Sequence, residues 1–157
     1  MKNKIEYLTG DATQPIGEGN KILVHICNDV GGWGRGFVLA LSNKWAKPER
    51  EYQRWFQSNK DFELGNVQFV EVEKDLQVAN IIGQRDVVFQ GSIPPIRYEA
   101  VEEGLKKVAY KAKEINASIH MPRIGSGLAG GDWNKIESII VSELADKGLK
   151  VTVYDFK

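Results

Sequence analysis

Val24-His25-Ile26-Cys27-Asn28-Asp29-Val30-Gly31-Gly32-Trp33-Gly34-Arg35-Gly36-Phe37 decides how the rest of the chain is read. It opens in an apolar run, Ile22 to Ile26, of the kind a buried strand carries. It turns polar at Asn28 and Asp29, then passes through four glycines into a helical pattern. A strand that ends in glycines and opens into a helix leaves backbone N–H groups free to face an anion, and the helix dipole adds to the attraction. A second stretch of this kind, Ile124-Gly125-Ser126-Gly127-Leu128-Ala129-Gly130-Gly131, follows the apolar segment Ser118 to Met121 and precedes a helix starting near Trp133. Two such loops on one small domain point to a pair of linked phosphates.

Working outward, Ile5, Tyr7 and Leu8 belong to a short first strand, closed by Gly10-Asp11-Ala12-Thr13 and a Pro15-Ile16-Gly17 turn. Asp11 sits at that strand's end, where it can accept from a ligand amine or simply cap a turn; spacing allows both. Positions 37, 38, 41 and 45 fit one helix face, and Pro48 opens a second helix whose apolar stripe is Tyr52, Trp55 and Phe56. Val67 to Val70 and Leu76 to Ile82 read as two strands joined by a polar turn at Glu73-Lys74-Asp75, the second ending at Gly83-Gln84-Arg85-Asp86. Residues 87–95 form a loop, and Tyr98 to Ile115 an amphipathic helix with Val101, Leu105, Val108 and Ala112 on its apolar face. Ile136, Ile139, Ile140 and Leu144 mark a last helix, stopped near Gly148, before the strand Val151 to Tyr154. The alternation predicts an α/β three-layer domain over residues 1–157, with a mixed, mostly parallel six-stranded sheet flanked by helices. In open α/β sheets ligands collect at the carboxyl ends of the strands, and Asp11, Asn28, Gln84 and both glycine loops fall at such ends.

Composition narrows the function. The 157 residues carry 21 basic and 21 acidic side chains without a basic block, which disfavours affinity built on nucleic-acid backbone contacts. Lys2, Asn3, Lys4 and Glu6 interrupt any signal-like apolar segment after Met1, and no apolar run approaches a membrane span. The expectation is a cytoplasmic protein with no membrane partner, no cofactor and no metal. A lone cysteine, Cys27, reads as a buried structural thiol. Neither glycine loop contains Gly-Lys-Ser/Thr, and the acidic residues about 20 positions beyond the first, Glu49 and Glu51, lie in a helix. Triphosphate-loop and dinucleotide readings are therefore both excluded.

Taken together, Gly10-Asp11-Ala12-Thr13, the strand ending in Asn28, the loop 31–36, and Met121-Pro122-Arg123-Ile124-Gly125-Ser126-Gly127-Leu128 with Trp133 resemble the macrodomain family. The likeness is greatest to the branch holding the terminal ADP-ribose protein glycohydrolase and the ADP-ribose-1″-phosphate phosphatases. It implies that Asp11 accepts from the adenine amine beside Ala12, with Tyr154 or Phe156 next to the base. It also implies that Gly32, Trp33, Gly34, Arg35 and Gly36 wrap the diphosphate and distal ribose. Gly125, Ser126, Gly127 and Leu128 would close the other side, and Asn28 would bind the distal ribose. The ester-cleaving glycohydrolases of the family carry lysine where this chain has Gln84, and aspartate where it has Ala129. Glutamine cannot form a covalent adduct and alanine cannot act as a base. His25 resembles a histidine assigned to catalysis in the phosphatase branch, and Asp132 borders the second loop. His25 is read either as an acid–base group or as a bonded core histidine, and Asp132 either as a water-orienting carboxylate or as a helix cap. The functional expectation is an ADP-ribose-binding hydrolase acting on ADP-ribose-1″-phosphate or on ADP-ribosylated protein or nucleic acid. The alternatives are a binding module without turnover and, more remotely, a nucleotide or RNA-end binder.

Overall fold

The computed structural model describes residues 5–156. Six strands form one sheet: β1 (Glu6–Thr9), β2 (Lys21–Asn28), β3 (Val67–Glu73), β4 (Leu76–Gln84), β5 (Ser118–Met121) and β6 (Val151–Asp155). Their order across the sheet is β1-β6-β5-β2-β4-β3, all neighbours parallel except the β3–β4 hairpin, where β3 runs antiparallel at the edge. The expected mixed, mostly parallel sheet is what the chain forms. Helices α1 (Phe37–Lys44), α2 (Lys47–Ser58), α3 (Tyr98–Ile115) and α4 (Trp133–Glu143) flank it.

Side-chain alternation along β2 divides the core. Ile22 and Val24 join the cluster beneath α3 and α4, with Val101, Leu105, Ile136 and Ile140. Leu23 and Cys27 face the other way, into a cluster with Leu41 of α1, Tyr52 of α2 and Trp33. β2 is buried on both faces because α3 and α4 pack over one and α1 and α2 over the other, which is why its sequence reads as a nearly continuous apolar run. The last helix ends earlier than its apolar pattern. After Glu143 the chain tightens into a 3-10 turn, Ala145–Lys147, and Gly148 closes it at φ 83°. Among the described residues no helix is long and apolar enough to cross a membrane.

Candidate ligand-binding cleft

β2 and β5 are adjacent and parallel, so the loops leaving their carboxyl ends emerge side by side. They meet across a cleft: a Cβ placed on Gly36 would lie 3.6 Å from Cδ1 of Leu128. Beneath them is a chamber of about 270 Å³. Arg35, Gly36, Phe37 and Val38 wall one side, Pro122 to Gly125 and Gly127 to Ala129 the other, and His25, Ile26 and Gln84 close it from the sheet. A second chamber of about 220 Å³ lies toward β1 and β6, lined by Gly10, Asp11, Ala12, Phe37, Ala40, Pro122, Tyr154 and Phe156. Phe37 and Pro122 belong to both.

The first chamber is built for an anion. Among the described residues, the backbone N–H groups of Arg35, Gly36, Gly125, Gly127 and Leu128 reach no acceptor in the protein. Gly36 caps α1 at φ 83°, a conformation that favours glycine, and offers no side chain to the helix's open amides. Among the described residues, the charged side chains lining this chamber are Arg35 and Arg123, and no carboxylate lines it. Arg123 lies between the rings of Tyr7 and Trp133, 5.0 and 5.1 Å from their centroids, and bonds Asp155 through Nε and Nη2. The second chamber is apolar apart from Asp11. One Asp11 oxygen accepts from the Thr13 N–H and hydroxyl at 2.9 and 2.7 Å, which fixes the carboxylate's direction. No protein donor among the described residues reaches the other oxygen, leaving it able to accept from an amine.

Several expected ligand groups are used otherwise. Asn28 is buried, and its Oδ1 accepts from the N–H groups of Val30 and Gly32 and from the Tyr52 hydroxyl. Its Nδ2 donates to the Gly32 carbonyl at 2.8 Å. It therefore braces the first loop from within, with one of the two Nδ2 hydrogens engaged, and Gly32 is consumed in the same bonds. Trp33 is buried against His25 and Tyr52 and donates its indole N–H to Ser42 at 2.8 Å. An apolar ring followed by glycine looks available in sequence, yet here it is core. Gly34 does not line the cleft, and neither does Ser126, whose hydroxyl donates to the Arg123 carbonyl.

The two acid–base candidates have different surroundings. His25 is 2% exposed, and desolvation pulls its pKa down to about 4 against the opposing Asn80 hydrogen bond, so the ring is neutral at pH 7. Asp132 lies outside both chambers and caps α4, accepting from the Asn134 N–H at 2.9 Å. Cys27 is buried with its thiol pKa pushed up by desolvation, and its sulfur is 3.7 Å from His25 Nε2. The cleft does bring together Asp11, Ala12 and Phe156 in one chamber, and Arg35, Gly36, Gln84, Gly125, Gly127 and Leu128 in the other. Gln84 donates to the Asp86 carbonyl at 2.9 Å. Sequence reading gave no role to Phe37 or Pro122, the two residues common to both chambers. Position 37 fits a helix face, which hides its place at the helix entrance.

A macrodomain protein of Streptomyces coelicolor is 49% identical to this chain, with a TM-score of 0.88 over 97% of this chain and 99% of that one. The chain belongs to the macrodomain family. A protein of unknown function from Bacteroides thetaiotaomicron is 56% identical at a TM-score of 0.96, covering 98% of each chain. This macrodomain is also 29% identical to the ADP-ribose 1″-phosphate phosphatase of Candida albicans, across 87% of its own length and 91% of that protein's. It spans only 16% and 18% of the zebrafish and mouse Chromodomain-helicase-DNA-binding protein 1-like sequences, to which it is 34% identical. No family model matches the sequence.

Proposed function

We propose that this macrodomain binds ADP-ribose, with adenine in the chamber beside Asp11 and the diphosphate and distal ribose between the two glycine loops. One observation carries the reading: an apolar chamber with a single carboxylate adjoins, across Phe37 and Pro122, a chamber lined by unpaired amides and Arg35, the Arg123 guanidinium there being paired with Asp155. That sequence of chemistries matches a base with an exocyclic amine followed by linked phosphates. The proposed reaction is hydrolysis at the distal ribose, of a 1″-phosphate or of a bond to an acceptor, with the loop amides holding the charge that develops. The Candida phosphatase supports this choice of chemistry, as does the family likeness along the whole chain.

A second reading, a binding module without turnover, is favoured by a specific feature. The distal chamber is lined by Gln84 and Ala129, at the positions where the resembling ester-cleaving glycohydrolases carry lysine and aspartate, and among the described residues no carboxylate lines it. Calorimetry with ADP-ribose, ADP and AMP tests the binding. Micromolar affinity for ADP-ribose, about −8 kcal/mol, with weaker binding of the shorter nucleotides is expected; equal affinity for all three would remove the distal site. Phosphate release from ADP-ribose-1″-phosphate, and ADP-ribose release from aspartyl-, glutamyl-, seryl- and guanine-linked acceptors, separate hydrolase from reader. Turnover of none of these leaves the module.

A further inference from the structure

Among the described residues, one buried side-chain nitrogen or oxygen has no hydrogen-bond partner: Nδ1 of His25, in a residue that lines the distal chamber. The other buried side-chain polar atoms among the described residues are satisfied, so this exception calls for a ligand or a water. Whether the atom is a donor or an acceptor follows from bonds on the far side of the ring. The Glu51 backbone carbonyl can only accept, so the group of Gln68 that meets it at 2.9 Å is the amide NH2. Gln68 Oε1 is then the acceptor for Asn80 Nδ2 at 3.0 Å, and the same NH2 meets the Pro48 carbonyl at 3.3 Å. Asn80 is thereby oriented with Oδ1 toward His25 Nε2, 2.5 Å away. That oxygen requires a proton on Nε2. In a neutral imidazole the other nitrogen is bare.

We infer that His25 is locked as the Nε2–H tautomer by the Glu51–Gln68–Asn80 chain and presents Nδ1 to the cleft as an acceptor that selects a sugar hydroxyl over a phosphate oxygen. A hydroxyl fills the lone pair with a proton, whereas a phosphate oxygen would bring a second lone pair against it. Asn80 and Gln68 are positioning residues, acting on the ligand only through the ring. The inference rests on the proposed ADP-ribose site, and it adds that a hydroxyl of the distal ribose, not a phosphate group, meets the sheet side of the chamber.

Long-range ¹H–¹⁵N spectra of histidine-labelled protein test it directly, because the chain has two histidines and the second is an internal control. His120 already has Ser118 Oγ and Tyr154 Oη on its two ring nitrogens. Free protein should show His25 with a protonated Nε2 and an unprotonated Nδ1. Saturating ADP-ribose should move the Nδ1 resonance in the direction of hydrogen bonding, ADP should leave it in place, and His120 should not respond. An Nδ1–H tautomer, or an Nδ1 signal unmoved while calorimetry on the same sample shows ADP-ribose bound, overturns the inference and leaves the function standing. No binding of ADP-ribose overturns both. His25→Phe should weaken ADP-ribose about tenfold and ADP not at all, the loss of one neutral hydrogen bond. Gln68→Met, away from the ligand, should introduce the Nδ1–H tautomer into the spectrum and reduce the preference for ADP-ribose over ADP. An unchanged tautomer in Gln68→Met removes the relay.

Discussion

The two glycine loops converge on one cleft, yet they are held by different means. Loop 31–36 is fastened by side chains: Asn28 bonds both backbone groups of Gly32 within it and the Val30 N–H just before it, Gln53 of α2 donates to the Gly31 carbonyl, and Tyr52 fixes Asn28. Loop 125–131 is held by backbone turns, Gly131 N–H to Gly125 carbonyl and Gly130 N–H to Gly127 carbonyl, and by packing too close for a Cβ. A side-chain scaffold and a close-packed turn can each aim amides at an anion. The first ties the site to the stability of the core beneath α2, and the second leaves it dependent on the absence of side chains.

The largest effect expected is from Asn28→Ala. It strips the side-chain bonds to Val30 and Gly32, leaves Tyr52 only the Asn28 backbone carbonyl, and should cost about 2–4 kcal/mol in denaturant unfolding, with ADP-ribose affinity lost alongside. Stability and affinity both near the parent's would erase the distinction between the loops. Gly131→Ala places a Cβ 2.4 Å from the Gly125 carbonyl oxygen and must displace the second loop. Affinity should fall about a hundredfold with a smaller stability loss than Asn28→Ala, the reverse weighting to the first loop. A third outcome comes from acid. His25 and His120 both have pKa values pulled down to about 4 by burial, with Lys21 and Lys150 adding for His120. Between there and the ordinary 6.5 the unfolded chain binds protons the folded one does not, so stability should climb with pH to about 6.5 and then level. A flat profile across this window, followed by denaturant titration, would place the histidines outside the core. Asp132→Ala should cost about 1 kcal/mol of stability as a lost cap and leave ADP-ribose affinity unchanged. Leu128→Ala, at an exposed tip, should change affinity only a fewfold and stability hardly at all; a large thermal shift would show the second loop to be braced like the first.

These contrasts explain which parts of the molecule could be read from residues alone. Apolar strands ending in glycine, and helices whose periodicity follows, depend on local patterns, and they gave the sheet, its flanking helices and the side-by-side loops. The inner half of each strand tip was harder. Asn28 sits at a strand end whether or not it also braces its own loop, and the brace shows only through the position of Tyr52, 24 residues on and recognisable merely as part of an apolar stripe. Trp33 similarly disappears into the core because Ser42 and Tyr52 lie behind it. For His25 the sequence leaves acid–base group and core histidine both open, because it shows neither its burial nor the amide of Asn80 on the adjacent strand. Asp132 showed both a cap signature and a place beside the loop, and geometry separates the two.

The sharing of Phe37 and Pro122 by both chambers has a consequence for fragments of the ligand. A compound that fills only the chamber beside Asp11 meets the same two side chains that line the chamber between the glycine loops. Affinities measured for separate pieces, one in each chamber, should therefore fail to add up to that of a molecule spanning both, because Phe37 and Pro122 are counted in each.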